Sequence, residues 1–130
     1  MALSRLLAIA AAAFVVSACA ASAEDAAAGE HVFRKCKSCH EIGPDAANMV
    51  GPVLNGVVGR PAGSYPEYHY SDANKDSGLT WDEATLTVYL RNPQAKVPHT
   101  KMAFPGLTSD ADIANVIAYL KQFGPDGKPR

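Results

Sequence analysis

Strong charge of either sign is missing from this 130-residue chain, in which 12 Lys and Arg face 13 Asp and Glu for a formal net charge of −1. The balance argues against a nucleic-acid partner, because nucleic-acid-binding domains present strongly basic surfaces. Only three cysteines occur, too few for a small disulfide scaffold. Apolar residues make up 48% of the chain, too many for a disordered protein, and the length suits a single domain.

Long hydrophobic runs are also missing, apart from one near the N-terminus. Leu6–Val16 is an apolar run of 11 residues, well short of the ~20 that a membrane-spanning helix needs. It precedes the small residues Ala21–Ala23, a pattern typical of a cleaved signal peptide. We therefore expect a signal peptide over residues 1–23, a domain over residues 24–130, and a soluble monomer exported to the periplasm. The alternative is a lipoprotein signal that ends at Cys19, whose lipid would anchor the chain to a membrane.

The segment Cys36–His40 reads Cys-Lys-Ser-Cys-His, the pattern to which haem is covalently attached. Residues three apart lie on one face of a helical turn, so Cys36 and Cys39 can both reach the vinyl groups at one edge of a porphyrin. His40 follows directly and can reach the iron. Three other interpretations are a disulfide, which leaves His40 unexplained, a thioredoxin-like dithiol, which needs a preceding strand, and a zinc site, which lacks a second ligand pair.

The sixth ligand of such an iron decides the function, and several residues could provide it. The candidates after the signal are two methionines and three histidines: Met49, Met102, His31, His69 and His99. Met102 lies in a loop framed by Pro98 and Pro105, whose rings stiffen the backbone, so Met102 is the predicted ligand. Bis-histidine ligation through His99 is the alternative.

Helical periodicity predicts an all-α fold with three main helices. Asp25 is expected to cap the first helix and Ser109 the last, because short oxygen-bearing side chains accept hydrogen bonds from the first free amides. Thr80 and Glu83 fit a capping box at the start of the middle helix, which Pro93 should end. No strand pattern or internal repeat competes with this interpretation.

Between the first two main helices the chain has the composition of a loop. Residues 41–69 contain Gly-Pro pairs and isolated glycines without an apolar period, so we expect them to wrap without regular structure. A short helical turn is expected over residues 71–76. So long a loop in a compact domain indicates that a buried cofactor replaces part of the core. A haem, which is a large apolar plate, would organise such a chain.

In the order of its motifs the chain resembles the class I c-type cytochromes, close to the cytochrome c2 and mitochondrial kind. Beyond the haem motif, the similarity is carried by six segments: Gly51–Gly56, Gly59–Arg60, Tyr70–Lys75, Gly78–Trp81, Tyr89–Pro93 and Thr100–Phe104. The resemblance implies a small all-α fold wrapped around one covalently bound haem c. It also implies an electron carrier that cycles iron between Fe(II) and Fe(III) rather than an enzyme.

The resemblance further implies roles for individual residues. Cys36 and Cys39 would form the thioether bonds, and His40 and Met102 would be the axial ligands of the iron. Pro52 would accept a hydrogen bond from the imidazole with its carbonyl. Six more side chains would surround the haem: Tyr70, Trp81, Arg60, Asn74, Tyr89 and Thr100. The first three would lie at the haem propionates, and the last three would form a polar network beside the methionine.

Two departures and the implied partners complete the comparison with this family. The family usually has glycine where His99 stands, which bears on the turn before Met102. Its basic patch is thinner here, although four lysines flank the ligand-bearing segments: Lys35, Lys37, Lys96 and Lys101. A ring of cations would steer an acidic partner. The implied donor is a cytochrome bc complex, and the implied acceptor is a terminal oxidase or a photosynthetic reaction centre.

Two functions of other classes stay open at this point. One is a haem enzyme or gas sensor, which requires a sixth ligand that is absent or easily displaced. The other is a dithiol oxidoreductase without haem. A visible spectrum separates these from an electron carrier, because a carrier has a low-spin, six-coordinate iron with no open site.

Overall fold

The computed structural model describes residues 24–130, and they form helices joined by long loops. The five helices are α1 (Ala26–Phe33), α2 (Asp72–Lys75), α3 (Glu83–Arg91), α4 (Pro93–Lys96) and α5 (Asp110–Lys121). The prediction of an all-α fold with three main helices and short helical turns is confirmed. The signal peptide predicted over residues 1–23 and the alternative lipidation at Cys19 lie outside the described residues. No helix within residues 24–130 is long and apolar enough to cross a membrane.

The two terminal helices, α1 and α5, pack against each other and begin at the predicted caps. The Asp25 carboxylate accepts hydrogen bonds from the amides of Ala27 and Ala28, at 2.9 and 3.1 Å. The Ser109 hydroxyl accepts one from the amide of Asp112 at 3.2 Å. The buried face of α5 consists of five residues: Ile113, Val116, Ile117, Tyr119 and Leu120. It forms one side of the core.

The α1–α5 contact depends on the absence of a side chain at Gly29. A β-carbon at this position would lie 1.9 Å from the carbonyl oxygen of Asn115 and 2.9 Å from the Tyr119 β-carbon. Asn115 also ties the two helices together, because its side-chain oxygen accepts a hydrogen bond from the Asp25 amide at 2.9 Å. The ring of Phe33 then reaches Tyr119, with centroids 5.2 Å apart. The end of α1, which leads into the Cys36–His40 segment, is therefore held against α5.

The start of α3 differs from the predicted capping box. Asp82, not Thr80, caps the helix, and its carboxylate accepts a hydrogen bond from the Thr85 amide at 2.7 Å. Thr80 instead forms an isolated antiparallel bridge with Pro61, flanked by backbone hydrogen bonds. Because this pairing holds Thr80 in an extended conformation, the helix can begin only after it. The contact between Thr80 and Pro61 therefore overrides the capping-box motif of Thr80 and Glu83, because local sequence rules do not include contacts between distant segments.

The short helix α4 was not predicted. Asn92 ends α3 and caps α4, since its side-chain oxygen accepts a hydrogen bond from the Ala95 amide at 3.1 Å. Pro93 occupies the first position of α4, where its missing amide proton costs nothing. The proline therefore ends one helix, as predicted, and begins another.

The predicted loop over residues 41–69 is present and is fixed at its base. The buried Asn55 side chain bonds both backbone groups of Gly43, with its oxygen accepting from the amide and its nitrogen donating to the carbonyl, each at 2.8 Å. The Gly56 amide donates to the carbonyl of Phe123 at 3.2 Å. The predicted helical turn follows as α2, capped by the Ser71 hydroxyl.

Candidate cofactor site

A cavity of about 350 Å³ opens between the long loop, α3 and the segment that follows α4. Its walls are mainly apolar, with buried side chains that include Val57, Leu86, Leu107 and Val116. All eleven side chains predicted for the site line this cavity: Cys36, Cys39, His40, Pro52, Arg60, Tyr70, Asn74, Trp81, Tyr89, Thr100 and Met102. Residues that lie far apart in the sequence thus meet around one space, and the shared apolar lining suits a large apolar cofactor.

On one wall of the cavity, the His40 imidazole is held in a single orientation. Its Nδ1 lies 2.7 Å from the carbonyl oxygen of Pro52, the hydrogen bond that was predicted. Burial lowers the pKa of His40, the positive charge of Arg60 lowers it further, and the bond to Pro52 opposes both. A neutral imidazole that donates from Nδ1 has its Nε2 lone pair available for a metal.

Gly51 lies directly against this imidazole. A β-carbon at Gly51 would lie 2.4 Å from His40 Cε1 and less than 3 Å from both ring nitrogens. We therefore expect Gly51→Ala to push the ring out of place and weaken its bond to Pro52. The haem-loaded protein should lose about 1–3 kcal/mol of unfolding free energy, as overpacked sites do. Thermal unfolding measures the loss.

Gly124→Ala is the matched control for the Gly51 substitution. Its β-carbon would lie 3.2 Å from the flexible Asp126 carboxylate and at ordinary contact distances, 3.6 and 3.7 Å, from the Lys128 carbonyl oxygen and Arg130 Cγ. We expect its melting temperature to stay close to that of the unmodified protein. Equal melting temperatures for the two variants would show that the space beside His40 is not restricted.

Met102 also lines the cavity, and hydrogen-bonding groups contact it. The Tyr89 hydroxyl donates to the Met102 Sδ at 3.1 Å, and the Thr100 hydroxyl oxygen accepts from the Met102 amide at 3.3 Å. Burial raises the pKa of Tyr89, partly opposed by a hydrogen bond with Thr100, so the hydroxyl keeps the proton that it donates. Trp81 packs beside Tyr89, with ring centroids 4.5 Å apart. A thioether has two lone pairs, so accepting this bond leaves the second available for a metal.

The other candidates for the sixth ligand lie elsewhere. Met49, His31, His69 and His99 do not line the cavity. His99 is exposed and has a φ of +67°, in the left-handed region that favours glycine. Histidine enters this region more readily than most residues, so the turn before Met102 forms without a glycine. The turn points the methionine, rather than the histidine, into the cavity.

Two buried polar atoms at the cavity find no hydrogen-bond partner among the described residues. They are Arg60 Nε and Asn74 Oδ1. The remaining nitrogens of the Arg60 guanidinium donate to the carbonyls of Asn55 and Val53, at 2.8 and 3.1 Å. Buried polar atoms are nearly always paired in native proteins. The unpaired Arg60 Nε is a donor and therefore fits a cofactor that brings anionic acceptors, as haem does with its propionates.

The two cysteines lie on one helical turn, as their spacing predicts. The amides of Cys39 and His40 both donate to the Cys36 carbonyl, at 3.1 and 2.9 Å. Both thiols are free and half-buried. Burial, and the neighbouring Cys39, raise the pKa of Cys36 to about 11. The raised pKa of Cys36 gives no sign of the activated thiolate on which dithiol oxidoreductases depend.

The remaining alternatives for the cysteine motif find no support either. The element before it is α1, a helix and not the strand of a thioredoxin-like unit. Within residues 24–130, no group of three or more His, Cys, Asp or Glu side chains could hold a metal ion such as zinc.

Sequence reasoning missed one side chain that positions Met102. Gln94, on the unpredicted helix α4, donates from its amide nitrogen to the carbonyls of Thr100 and Met102, at 3.2 and 3.1 Å. No sequence pattern marks a glutamine for such a role. Gln94 reaches the segment that carries Met102 only because the chain forms α4. The loop that carries Met102 is therefore tied to the helix before it.

Comparison with known proteins gives a consistent result. The family model described as cytochrome c matches residues 26–124. A cytochrome c-554 of Methylosinus trichosporium is 54% identical over 129 residues, 98% of this chain and 98% of that protein. A cytochrome c2 of Rhodoblastus acidophilus is 60% identical over 105 residues, 81% of this chain and 98% of that protein. The solved structure of cytochrome cH from Methylobacterium extorquens matches with a TM-score of 0.72 and 52% identity, covering 75% of this chain and 98% of that one.

Proposed function

Because the chain belongs to the cytochrome c family, we propose that it carries electrons with its haem iron held between His40 and Met102. Membership of the family implies one covalently attached haem c and an electron-transfer role. When bound, the haem supplies an iron that cycles between Fe(II) and Fe(III). The observation that supports this ligand pair is the single cavity that both residues line together with Cys36 and Cys39.

On the histidine side of the cavity, the residues of this chain attach the haem and orient the imidazole of His40. Cys36 and Cys39 are proposed as the two thioether residues, since they lie three apart on one helical turn that faces the cavity. His40 is proposed as the first axial ligand. Its bond to the Pro52 carbonyl fixes the tautomer and makes the imidazole a better electron donor to a metal.

On the methionine side, the residues of this chain set the preference for the reduced state. A thioether is a soft ligand, so Met102 favours ferrous iron and raises the reduction potential. Leu86 and Trp81 exclude water from this part of the cavity, where the extra charge of ferric iron is poorly solvated. Asn74 and Thr100 are proposed to complete the polar network with Tyr89, and Arg60, Tyr70 and Trp81 to hold the propionates.

The surface next to the cavity offers a place for partners to dock. Val50 lines the cavity and is 72% exposed, so a docked partner comes within contact distance of the cofactor site. Three of the flanking lysines, Lys35, Lys37 and Lys101, are exposed, and Lys96 is half-buried. Lys35 is partly neutralised by Asp112, at 3.9 Å. A small, polar and salt-sensitive contact of this kind suits brief redox encounters.

We propose a soluble, periplasmic monomer for this carrier. Its proposed donor is a cytochrome bc complex, and its proposed acceptor is a terminal oxidase or a photosynthetic reaction centre. The cytochrome c2 of Rhodoblastus acidophilus, at 60% identity, supports a shuttle between membrane complexes. The mature protein is proposed to begin after the predicted signal peptide over residues 1–23.

A spectrum of the protein, purified from cells able to attach haem, tests the proposed ligands. We expect low-spin bands in the reduced form and, in the ferric form, the weak far-red band of sulfur ligation. Mass spectrometry should show one haem bound to the peptide that contains Cys36 and Cys39. A high-spin ferric spectrum with ready carbon monoxide binding would instead support a haem enzyme or gas sensor, and a colourless protein would support a dithiol oxidoreductase.

A further inference from the structure

Among the described residues that line the cavity, Arg60 is the one Lys or Arg side chain that is withdrawn from the surface. Three such side chains line it, and Lys35 and Lys101 are exposed whereas Arg60 is half-buried. The two outer nitrogens of its guanidinium donate to the carbonyls of Asn55 and Val53, and its buried Nε has no protein partner. The guanidinium therefore brings a fixed positive charge to the cofactor site.

The aromatic ring of Tyr65 covers this guanidinium. The central carbon of the Arg60 guanidinium lies 4.9 Å from the centroid of the ring, which is the geometry of a cation–aromatic contact. Tyr65 is half-buried and does not itself line the cavity, so its ring lies against a part of Arg60 that faces away from the cofactor site. The ring occupies the place where water would otherwise meet the charge.

The backbone on both sides of the ring is held in place. The Tyr65 amide donates to the Tyr70 hydroxyl oxygen at 3.1 Å. The carbonyl of the next residue, Pro66, accepts a hydrogen bond from the Asn48 side-chain nitrogen at 3.0 Å, and the Asn48 side-chain oxygen accepts one from the Val53 amide at 3.1 Å. Asn48 thus joins the segment that carries the ring to a residue whose carbonyl accepts from the guanidinium.

We propose that Tyr65 positions Arg60 and keeps water away from its guanidinium, so that the positive charge of Arg60 helps to set the reduction potential of the haem iron. The inference rests on the proposed redox function, but it holds whichever residue provides the sixth ligand. A nearby positive charge disfavours the extra charge of ferric iron and so raises the potential. This effect weakens when water raises the effective dielectric constant from about 20 towards 80. Tyr65 is a positioning residue, since it acts on the cofactor through Arg60.

A simpler interpretation treats Tyr65 as a ring that only fills space near the surface. Loss of that packing would lower the melting temperature without changing the potential. A ring that shielded the haem directly would change the potential whether or not the arginine is present. A ring that acts through Arg60 affects the potential only while the guanidinium is there, so the two substitutions are not additive.

Redox titration of the haem-loaded protein tests the proposal. In Tyr65→Ala, water reaches the guanidinium, and we expect the ratio of ferric to ferrous protein at a fixed solution potential to rise about two- to fivefold. At about 59 mV per tenfold change for one electron, the reduction potential falls by about 20–40 mV. In an Arg60→Gln background, Tyr65→Ala should change the potential little further.

A conservative variant and a distant control separate positioning from a general loss of structure. Tyr65→Phe keeps the ring over the guanidinium and should keep the potential of the unmodified protein. Val88→Ala removes an apolar side chain that is 54% exposed and lies outside the cavity lining, so it should not alter the potential. In NMR spectra of the reduced protein, the Arg60 Nε proton should exchange with water faster in Tyr65→Ala than in Tyr65→Phe.

The outcomes distinguish this inference from the proposed function. A protein without attached haem would end both. If the haem is attached but Tyr65→Ala keeps the potential of the unmodified protein, Tyr65 does not act on the cofactor and the proposed function stands. An equal fall in Tyr65→Phe, or an undiminished effect of Tyr65→Ala in the Arg60→Gln background, would also overturn the inference. The comparison of Tyr65→Ala with Tyr65→Phe decides the matter even if Arg60→Gln fails to fold.

Discussion

Replacing Met102 with alanine is expected to lower the reduction potential by on the order of 0.2 V, within the ~0.8 V range that axial ligands cover. The physical reason is the loss of a soft sulfur donor that favours ferrous iron. The same substitution removes the acceptor of the Tyr89 hydroxyl bond, now 3.1 Å long, and leaves space for water or an added ligand. Redox titration measures the potential, and carbon monoxide binding to the reduced form measures how readily an added ligand reaches the iron.

Met49→Ala is the matched control for the Met102 substitution. Met49 is the other methionine of the described residues, is 46% exposed, and does not line the cavity. Its substitution should leave both the potential and the resistance to carbon monoxide unchanged. An unaltered potential in Met102→Ala would show that another group holds the sixth position.

Replacing Gly29 with alanine is expected to cost about 3 kcal/mol of unfolding free energy, the upper part of the range for overpacking. Helix propensity alone predicts the opposite, because alanine in a helix is favoured over glycine by up to about 1 kcal/mol. The clash is larger than this gain: the new β-carbon would lie 1.9 Å from the Asn115 carbonyl oxygen, which belongs to the rigid backbone of α5. The two helices would have to separate. Denaturant unfolding of the haem-loaded protein measures the difference.

The reverse substitution at a neighbouring position isolates the propensity effect. Ala27 lies on the same helix but is exposed, so Ala27→Gly should lose up to about 1 kcal/mol with no change in packing. A stabilised Gly29→Ala variant would mean that α1 and α5 do not approach as closely as described. Destabilisation by both variants, larger at Gly29, is the expected pattern.

Local chemistry made some elements of the fold predictable. Asp25 and Ser109 cap their helices as expected, because a capping side chain bonds amides only two or three residues away. The Thr80–Glu83 capping box was wrong for the opposite reason. The bridge to Pro61 is a contact between distant segments, and no local rule contains it. Helix α4 was missed because Pro93 was treated only as a stop signal.

The residues of the site could be predicted from the sequence more fully than the contacts that position them. The cysteine motif identifies its own chemistry, and the ordered resemblance to a family places Met102 and the haem environment around the same space. Spacing alone could not select Met102 over His99, since their positions differ by only three residues. The structure separates them through a single left-handed turn at His99. The contacts of Gln94 had no sequence signal, because they depend on how the loop after α4 folds back.

The two hydrogen bonds that hold the proposed ligands have a consequence for the speed of electron exchange. The bond from His40 to a backbone carbonyl and the bond from Tyr89 to sulfur join neutral groups, so neither requires a proton to move when the iron changes its charge. Preorganised dipoles of this kind need little nuclear rearrangement. The reorganisation energy should therefore be small, and the rate of exchange should depend mainly on tunnelling distance and driving force.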